Sequence, residues 1–390
     1  MNDVLVVGGG PAGSATALLL ARRGIDVRIV ERARFPRRKV CGEYLNGGAV
    51  AALARLGVLE TVRQRAEPLQ GVRLVASGAP SVVLPFSQPA LACAREDLDS
   101  VLLAAAVAAG ATLERARVED VVRRDGRCSG LAVRGDDGRL VAREARIVVG
   151  ADGAGSLVAR KLGLTRGSAG RGRYAIGGHY TGFGPLDGCV EMYAGDGAYF
   201  ALNPLSAERT NVMVVVPRAR LARWSADVDA GVGGAAAALG QGVRSFAAAS
   251  RSGPRVSVGP LEHRVRRTTV GGALLVGDAA GFLDPFTGQG VFLALTGAER
   301  AAAAVIAVLG GAAERDAFAA YAAWRERDFR RRRRLARAVS LLIEAPPLAR
   351  RAALRLAQRP DLGVRLTDAL AGAVPPPRAF GIALLGQLLA

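Results

Sequence analysis

Three observations predict an α/β fold. Short hydrophobic runs end in glycine-bearing turns at three places: residues 4–7 before Gly8, 146–150 before Ala151 and 273–276 before Gly277. Between the last two lies a stretch of alternating apolar and polar residues, and from Gly311 onward the sequence reads as helices. Apolar runs that open into helices belong to parallel sheets buried on both faces, whereas alternation belongs to a sheet with two unlike faces. The 390 residues exceed what one hydrophobic core usually serves, so two domains or one large α/β unit are expected. With 50% hydrophobic and 22% charged residues the chain is globular rather than disordered, and its 50 Gly and 18 Pro follow no collagen period.

The first element is the most informative. Residues 4–7, Val-Leu-Val-Val, read as a buried parallel strand; Gly8-Gly9-Gly10-Pro11-Ala12-Gly13 then supplies G-x-G-x-x-G, and residues 14–23 form an Ala/Leu helix closed by Gly24. Gly8 permits the tight turn, Gly10 lets the backbone approach a pyrophosphate and Gly13 allows close helix-to-strand packing, with Pro11 and Ala12 completing the turn at a helix N-terminus that favours phosphate. A second strand, residues 27–30, ends in Glu31 and Arg32. Glu31 lies 18 residues beyond Gly13 (31 − 13), near the spacing at which a carboxylate accepts from an adenosine ribose, and an acid there disfavours a 2′-phosphate. Strand, glycine turn, helix, second strand and acid together predict a dinucleotide site.

The strand of residues 146–150 runs into Ala151-Asp152-Gly153-Ala154-Gly155-Ser156, and that of residues 273–276 into Gly277-Asp278-Ala279-Ala280-Gly281. Pro285-Phe286-Thr287-Gly288-Gln289-Gly290 and an Ala-rich helix follow. These three ordered motifs resemble those of the FAD-dependent oxidoreductases that include aromatic hydroxylases (class A flavin monooxygenases), geranylgeranyl reductases and flavin-dependent halogenases, from the N-terminus to about Ala304. The resemblance implies a Rossmann-like FAD-binding domain of the glutathione reductase type, an antiparallel β-sheet substrate domain and C-terminal helices. It places Ala151, Asp152 and Gly153 in a D-G motif and gives Gly277 and Asp278 the G-D motif, whose acid holds the ribityl chain. Pro285 would set a flat ring near the isoalloxazine. The turn through Gly288, Gln289 and Gly290 presents backbone N–H groups at a helix start, where negative charge on reduced flavin is stabilised. Arg95, before a helix at residues 98–109, resembles an arginine that reaches back toward FAD, with a solvated arginine as the plain alternative. Arg38-Lys39-Val40-Cys41-Gly42-Glu43 resembles an element of the geranylgeranyl reductase branch, the nearest branch in motifs, and implies that Cys41 and Gly42 lie beside the flavin.

On this reading residues 1–67, 92–164 and 270–310 form the FAD-binding domain, residues 68–91 and 165–269 a substrate-binding sheet domain, and residues 311–390 a helical C-terminal region. Strands are expected at residues 72–75, 81–84, 174–180, 189–193, 199–202 and 210–216, with a helical interlude over 219–249 and a turn at Pro375-Pro376-Pro377. The glycines of residues 167–172 and 231–234 read as loops. Tyr199 and Asn203 stand four positions apart on one strand and so share a face; with Cys41 they are the substrate-side candidates, core tyrosine and turn asparagine being the alternatives. The catalytic residues are otherwise unknown, and His179 and His263 read as structural. Tyr199-Phe200-Ala201-Leu202-Asn203-Pro204 stands where halogenases carry W-x-W-x-I-P and prenyl reductases W-x-F-P. Pro204 is kept, but Ala201 and Asn203 replace bulky apolar residues, which speaks against halogenation.

Lys+Arg exceed Asp+Glu by 53 − 34 = 19, and only Lys39 and Lys161 are lysines, a skew that GC-rich codons produce. Eight arginines fall within one helical stretch from Arg325 to Arg337. They are expected to be either a solvated helix face or a docking surface for an acidic carrier protein or anionic lipid. Nucleic acid is disfavoured, since aromatic content is 5% and no readout motif occurs. Cys41, Cys93, Cys128 and Cys189 form no C-x-x-C pair, so neither a metal site nor a disulfide framework is expected. With a strand starting at once and no uninterrupted apolar run of about 20 residues, no transmembrane segment is expected, and a cytoplasmic location is the reading. The expected activity is FAD-dependent monooxygenation of a hydrophobic or aromatic small molecule of secondary metabolism, with electrons from NAD(P)H or a separate reductase. Alkene reduction of the geranylgeranyl reductase type and a non-catalytic flavin-binding partner protein are the alternatives.

Overall fold

The computed structural model describes residues 1–76, 79–166, 172–195, 198–222, 246–261, 263–282, 285–371 and 386–388. Its first sheet is built on parallel strands in the order Thr112–Arg124, Val27–Glu31, Asn2–Val7, Leu140–Gly150 and Ala273–Leu275, with Thr269–Val270 antiparallel at the edge. Val4, Leu5, Val6, Ile147, Val148 and Leu274 are fully buried, as side chains covered on both faces of a parallel sheet must be. Two of the strands do double duty. Residues 112–115 and 145–150 pair in the parallel sheet, while residues 116–124 and 140–144 pair with Arg127–Gly135 in an antiparallel meander that sequence periodicity did not single out.

The first helix, Pro11–Ala21, begins three residues before the expected start. Proline supplies helical φ and lacks the N–H that a first turn would leave unpaired, so it belongs inside the helix rather than before it. The helix packs against Arg95–Ala108 and Gly290–Leu309. Gly290–Leu309 is long and apolar enough to cross a membrane, which the expectation drawn from uninterrupted runs missed. Here it lies against the first helix with most of its side chains buried, and the pair that breaks its apolar run is engaged: Glu299 accepts from Arg55 at 2.8 Å and Arg300 sits over Trp324 at 5.6 Å.

The second sheet has nine strands. Along it run Ser250–Arg251, Arg173–Thr181, Thr210–Pro217, Ala198–Pro204, Cys189–Gly195, Ala66–Ala76, Val82–Cys93 and Tyr44–Leu45, with Val256–Val258 also on Arg173–Thr181. It is antiparallel as expected except between Cys189–Gly195 and Ala66–Ala76, which run parallel because the chain passes through the first sheet between them. The expected piece at 72–75 is part of a strand of 11 residues and that at 81–84 overlaps one of 12 that starts at Val82, and Tyr44–Leu45, expected in the cofactor unit, forms an edge of this sheet. Residues 223–245, most of the expected helical interlude with its glycines 231–234, and also residues 167–171 and 375–377, lie outside the described residues.

The sheet's two faces are unlike. Ile176, Tyr193, Phe200, Val212 and Val214 pack on one side. On the other, Ala175, Tyr199, Met213 and Val215 meet Leu335, Val339, Leu356 and Leu366. Those partners come from the C-terminal helices Glu314–Glu344, Pro346–Gln358 and Pro360–Ala371, as expected of the tail. Each fully buried leucine there contributes about 1.5–3 kcal/mol, so the tail holds to the sheet by its apolar stripe while Arg327, Arg330, Arg334 and Arg337 face outward.

Candidate functional site

The carboxyl ends of Asn2–Val7, Val27–Glu31, Leu140–Gly150 and Ala273–Leu275 converge on one cleft. Its floor is backbone. Gly8 has φ +100°, and a Cβ there would lie 2.7 Å from the carbonyl oxygen of Ala151; a Cβ on Gly13 would lie 1.9 Å from that of Gly8. A Cβ on Gly10, the residue before the first helix, would face guanidinium nitrogens of Arg37 and Arg95 at 3.5 and 4.0 Å. The helix N-terminus and two cations therefore look into the same space, which suits a pyrophosphate. Arg95 is held by two 2.8 Å bonds to Asp99. The Glu31 carboxylate accepts from the N–H groups of Gly9 and Ala33, both at 2.8 Å, while Arg32 is exposed beside it.

Asp278 lies at the far end. Burial raises its carboxyl above the usual range against the opposing charges of Arg95, Lys39 and Arg325, and it takes no hydrogen bond from the described residues. The turn Gly277–Ala280 has no side-chain cap, so capping is not its task. A desolvated carboxyl without a protein partner, facing cations across a glycine-floored cleft, is what a polyhydroxyl ligand requires. Lys39 is pushed down by the walls around it and by the guanidinium groups of Arg37 and Arg95. At the same end, Pro285 opens the turn Pro285–Thr287, Gly288 has φ +62°, and Gly290–Leu309 starts without a side-chain cap, which leaves its first N–H groups open to negative charge. The glycine cradle, cation rim, fixed Glu31 and unpartnered Asp278 together fit a flavin dinucleotide.

Three expected site residues have side chains engaged within the chain. Asp152 caps the helix Leu157–Lys161: its Oδ1 accepts from the Ser156 hydroxyl at 2.6 Å, and its Oδ2 accepts from the N–H groups of Leu157 and Val158. Its carboxylate thereby supports the turn holding Ala151 and Gly153, while its Cα lies 3.3 Å from where a Cβ on Gly8 would stand. The Gln289 amide donates to the carbonyl of Leu370 at 3.0 Å, tying the tail to the turn. Asn203 does not line the cavity described below; its amide donates to the carbonyl of Gly42 at 2.9 Å.

The arginine cluster also divides. Arg325 is 3% exposed, donates to the carbonyl of Gly281 at 3.0 Å and stacks on Phe329. Arg332 is equally buried, paired with Asp328 at 2.9 Å and over the Phe292 ring. Neither belongs to a docking face, because the helix turns them inward. Arg325 is thereby a residue of the Gly277 and Asp278 loop, which charge counting could not reveal. Arg327, Arg330, Arg334 and Arg337 are exposed.

Beside the cleft is a cavity of about 250 Å³. Cys41, Gly42, Pro285, Thr287 and Gly288 form its cofactor end, Tyr199, Ala201, Met213 and Val215 its sheet wall, and Val339, Leu356, Leu366 and Leu388 its far wall. Among the described residues no charged side chain lines it. Tyr199 stands edge-on to Phe286 at 4.9 Å. Burial pushes the Tyr44 hydroxyl up, and it pushes the Cys41 thiol up despite the opposing charge of Arg95. Both stay protonated at neutral pH, and Cys41 is wall rather than nucleophile. His263 is pushed down by burial, and its carbonyl accepts from Phe282 at 2.9 Å, a structural role. Among the described residues no group of three His, Cys, Asp or Glu could hold a metal ion.

With this geometry the chain matches the FAD binding domain family model over residues 1–336. It is 27% identical over 337 residues to the 1H-pyrrole-2-carbonyl-[peptidyl-carrier protein] brominase of Pseudoalteromonas luteoviolacea, covering 83% of this chain and 81% of that one. It is 30% identical over 322 residues to digeranylgeranylglycerophospholipid reductase 2 of Methanothermobacter thermautotrophicus, covering 75% and 74%. Among solved structures, flavin-dependent brominase Bmp2 superposes with a TM-score of 0.84 at 24% identity, over 99% of this chain and 97% of that one. The chain is thus similar to a brominase although Ala201 and Asn203 depart from the halogenase pattern that spoke against halogenation. Asn203 points at a loop and Ala201 merely leaves cavity space where a larger side chain would stand.

Proposed function

We propose, from the premise that the chain belongs to the FAD binding domain family and is an FAD-dependent oxidoreductase, that it oxygenates an apolar or aromatic small molecule held in the cavity behind Cys41 and Gly42. The supporting observation is the cavity itself: walls that begin at the turn from Pro285 to Gly288, on the cofactor side, with no charged side chain among the described residues.

FAD, when bound, supplies the two-electron redox and oxygen chemistry. The chain's own residues do the rest. The N–H groups at the start of Pro11–Ala21 hold the pyrophosphate, Glu31 accepts from the adenosine ribose, and Asp278 accepts from the ribityl hydroxyls. Arg95, pinned by Asp99, keeps positive charge over the cleft, and the open N-terminus of Gly290–Leu309 stabilises negative charge on the ring system. The walls from Tyr199 to Leu366 exclude water and orient the substrate by shape. With Cys41 and Tyr44 both neutral, no side chain among the described lining residues competes as base, and positioning carries the reaction.

The brominase relative is named for a carrier-bound substrate, and the same delivery is proposed here. Arg327, Arg330, Arg334 and Arg337 recur at helical spacing on one outward stripe of Glu314–Glu344, whose inward side supplies Val339 to the cavity. Such a stripe suits an acidic carrier protein. Alkene reduction is the second reading, favoured by the reductase relative and by Cys41 and Gly42 at the cavity's cofactor end.

The test is the product mass when reduced holoenzyme, supplied with electrons by NAD(P)H or a separate reductase, meets aromatic acyl carriers and polyprenyl lipids. A gain of one labelled oxygen atom from ¹⁸O₂ is expected. A gain of two hydrogens under anaerobic conditions would establish the reductase, and halide in the product the halogenase. No product, and no effect of any ligand on flavin reoxidation, would leave a binding protein.

A further inference from the structure

Three polar side chains are buried where the second sheet meets the cofactor cleft. Asn203, Asn211 and His179 are 1%, 2% and 5% exposed, on strands whose neighbouring positions are Leu202, Val212 and Gly178. They are register partners across three adjacent strands: Asn203 opposite Asn211, and Asn211 opposite His179. Side chains opposite one another point to the same face, about 4.8 Å apart from strand to strand. The three therefore make one transverse row.

All three reach the same short loop. Asn203 donates to the carbonyl of Gly42 at 2.9 Å, Asn211 donates to the carbonyl of Cys41 at 2.8 Å, and the Nε2 of His179 lies 2.8 Å from the Glu43 carboxylate. The other oxygen of Glu43 accepts from the N–H of Arg95 at 2.9 Å, at the start of the helix that carries Arg95 and that has no side-chain cap of its own. Glu43 holds φ +56°, a left-handed conformation that costs a glutamate free energy unless its surroundings enforce it. Burying three polar side chains in an apolar sheet is also costly, and valine would build a better strand. Sheet stability does not explain the row.

The loop's position does. Lys39, at its start, faces Asp278 and Arg95 in the cleft, whereas Cys41 and Gly42 line the substrate cavity. Residues 39–43 are the partition between the two. We propose that the row positions this partition, Asn203 and Asn211 by holding the carbonyls of Gly42 and Cys41 directly and His179 by acting through Glu43, and so sets both the fit of FAD to the cleft and the approach of substrate to it. The inference rests on the FAD reading but not on the reaction type. His179 and Asn203 are thus positioning residues rather than the structural histidine and substrate contact that their sequence suggested.

The test compares holoenzyme with Asn203→Leu, Asn211→Leu, His179→Leu and His179→Gln, reading FAD affinity by titration and the absorption spectrum of the bound flavin. Each lost hydrogen bond to the loop is expected to weaken FAD binding about five- to tenfold and to shift the spectrum. His179→Gln, which returns an N–H near the place of Nε2, restores both, and the thermal midpoint of the FAD-free chain changes little throughout. Wild-type affinity and spectrum in the three leucine variants would overturn the proposal, as would losses that follow the thermal midpoint and that His179→Gln does not rescue. If the leucine variants do not fold, Asn203→Ser and Asn211→Ser carry the same readings. A wild-type chain that takes up no FAD would instead defeat the FAD reading itself, a distinguishable result.

Discussion

The cofactor cleft and the substrate cavity adjoin at one loop yet are built by opposite means. The cleft is made of backbone: Gly8 and Gly13 fit where no side chain can, and Arg95 and Glu31 are fixed in place by partners within the chain. The cavity is made of side chains that meet from the sheet and the distant C-terminal helices, none of them charged among the described residues. A backbone site tolerates almost no change at its glycines and binds a fixed chemical group. A side-chain site tolerates substitution and takes its specificity from shape. One family can thus keep its cofactor while its substrates diverge, as the relatives' names do.

If that contrast is right, the largest effect falls on the cleft. Gly13→Ala puts a Cβ 1.9 Å from the Gly8 carbonyl, and FAD affinity is expected to fall more than about a hundredfold, with about 1–3 kcal/mol of overpacking in the chain itself. Flavin content after purification and the thermal midpoint check it. Retained FAD would break the contrast.

Asp278→Asn comes next and has a sign that depends on pH. The carboxyl's folded value is raised by burial from its ordinary 3.8, so the FAD-free native state binds the proton more readily than the unfolded chain. Stability from this group is then present at low pH and is lost as pH rises from 3.8 through the raised value. The variant is expected to raise the thermal midpoint of the FAD-free chain at pH 8 more than at pH 3, while weakening FAD about tenfold through the lost ribityl contact. Equal midpoint shifts at the two pH values would remove the desolvation account.

Filling the cavity should separate the two regions. Ala201→Trp is expected to lower kcat/KM for the substrate about tenfold or more by occluding the sheet wall, with FAD content and spectrum unchanged. A loss of FAD would show the regions to be less independent than their construction implies, and steady-state kinetics beside flavin absorbance decide it. The smallest effect lies outside both. Arg334→Glu with Arg337→Glu should lower kcat/KM for a carrier-bound substrate about fivefold at low salt, and less at high salt, while the free substrate reacts as before.

Most of the cleft was legible because it depends on local order. A glycine turn after a buried strand, an acid at the end of the next strand and a G-D turn before a helix state their purpose within a few residues each. The side-chain contacts of Asp152, Gln289 and Asn203 were not legible for the converse reason: all three lie beside the site, but whether a carboxylate or amide faces a ligand or a neighbouring backbone group depends on side-chain direction. Arg325 was hidden inside a run of like residues. Glu43 stood in a noted motif, yet its role came from a positive φ and from His179, 136 residues away.

By itself, then, the sequence determined the class of fold and the dinucleotide cleft, since both follow from short-range backbone rules that few residues satisfy. Tertiary structure alone decided which arginines face inward, what lines the cavity and which side chains hold the partition at residues 39–43. Those depend on segments far apart in the chain meeting at one surface, and no local pattern records with whom a buried side chain will pair.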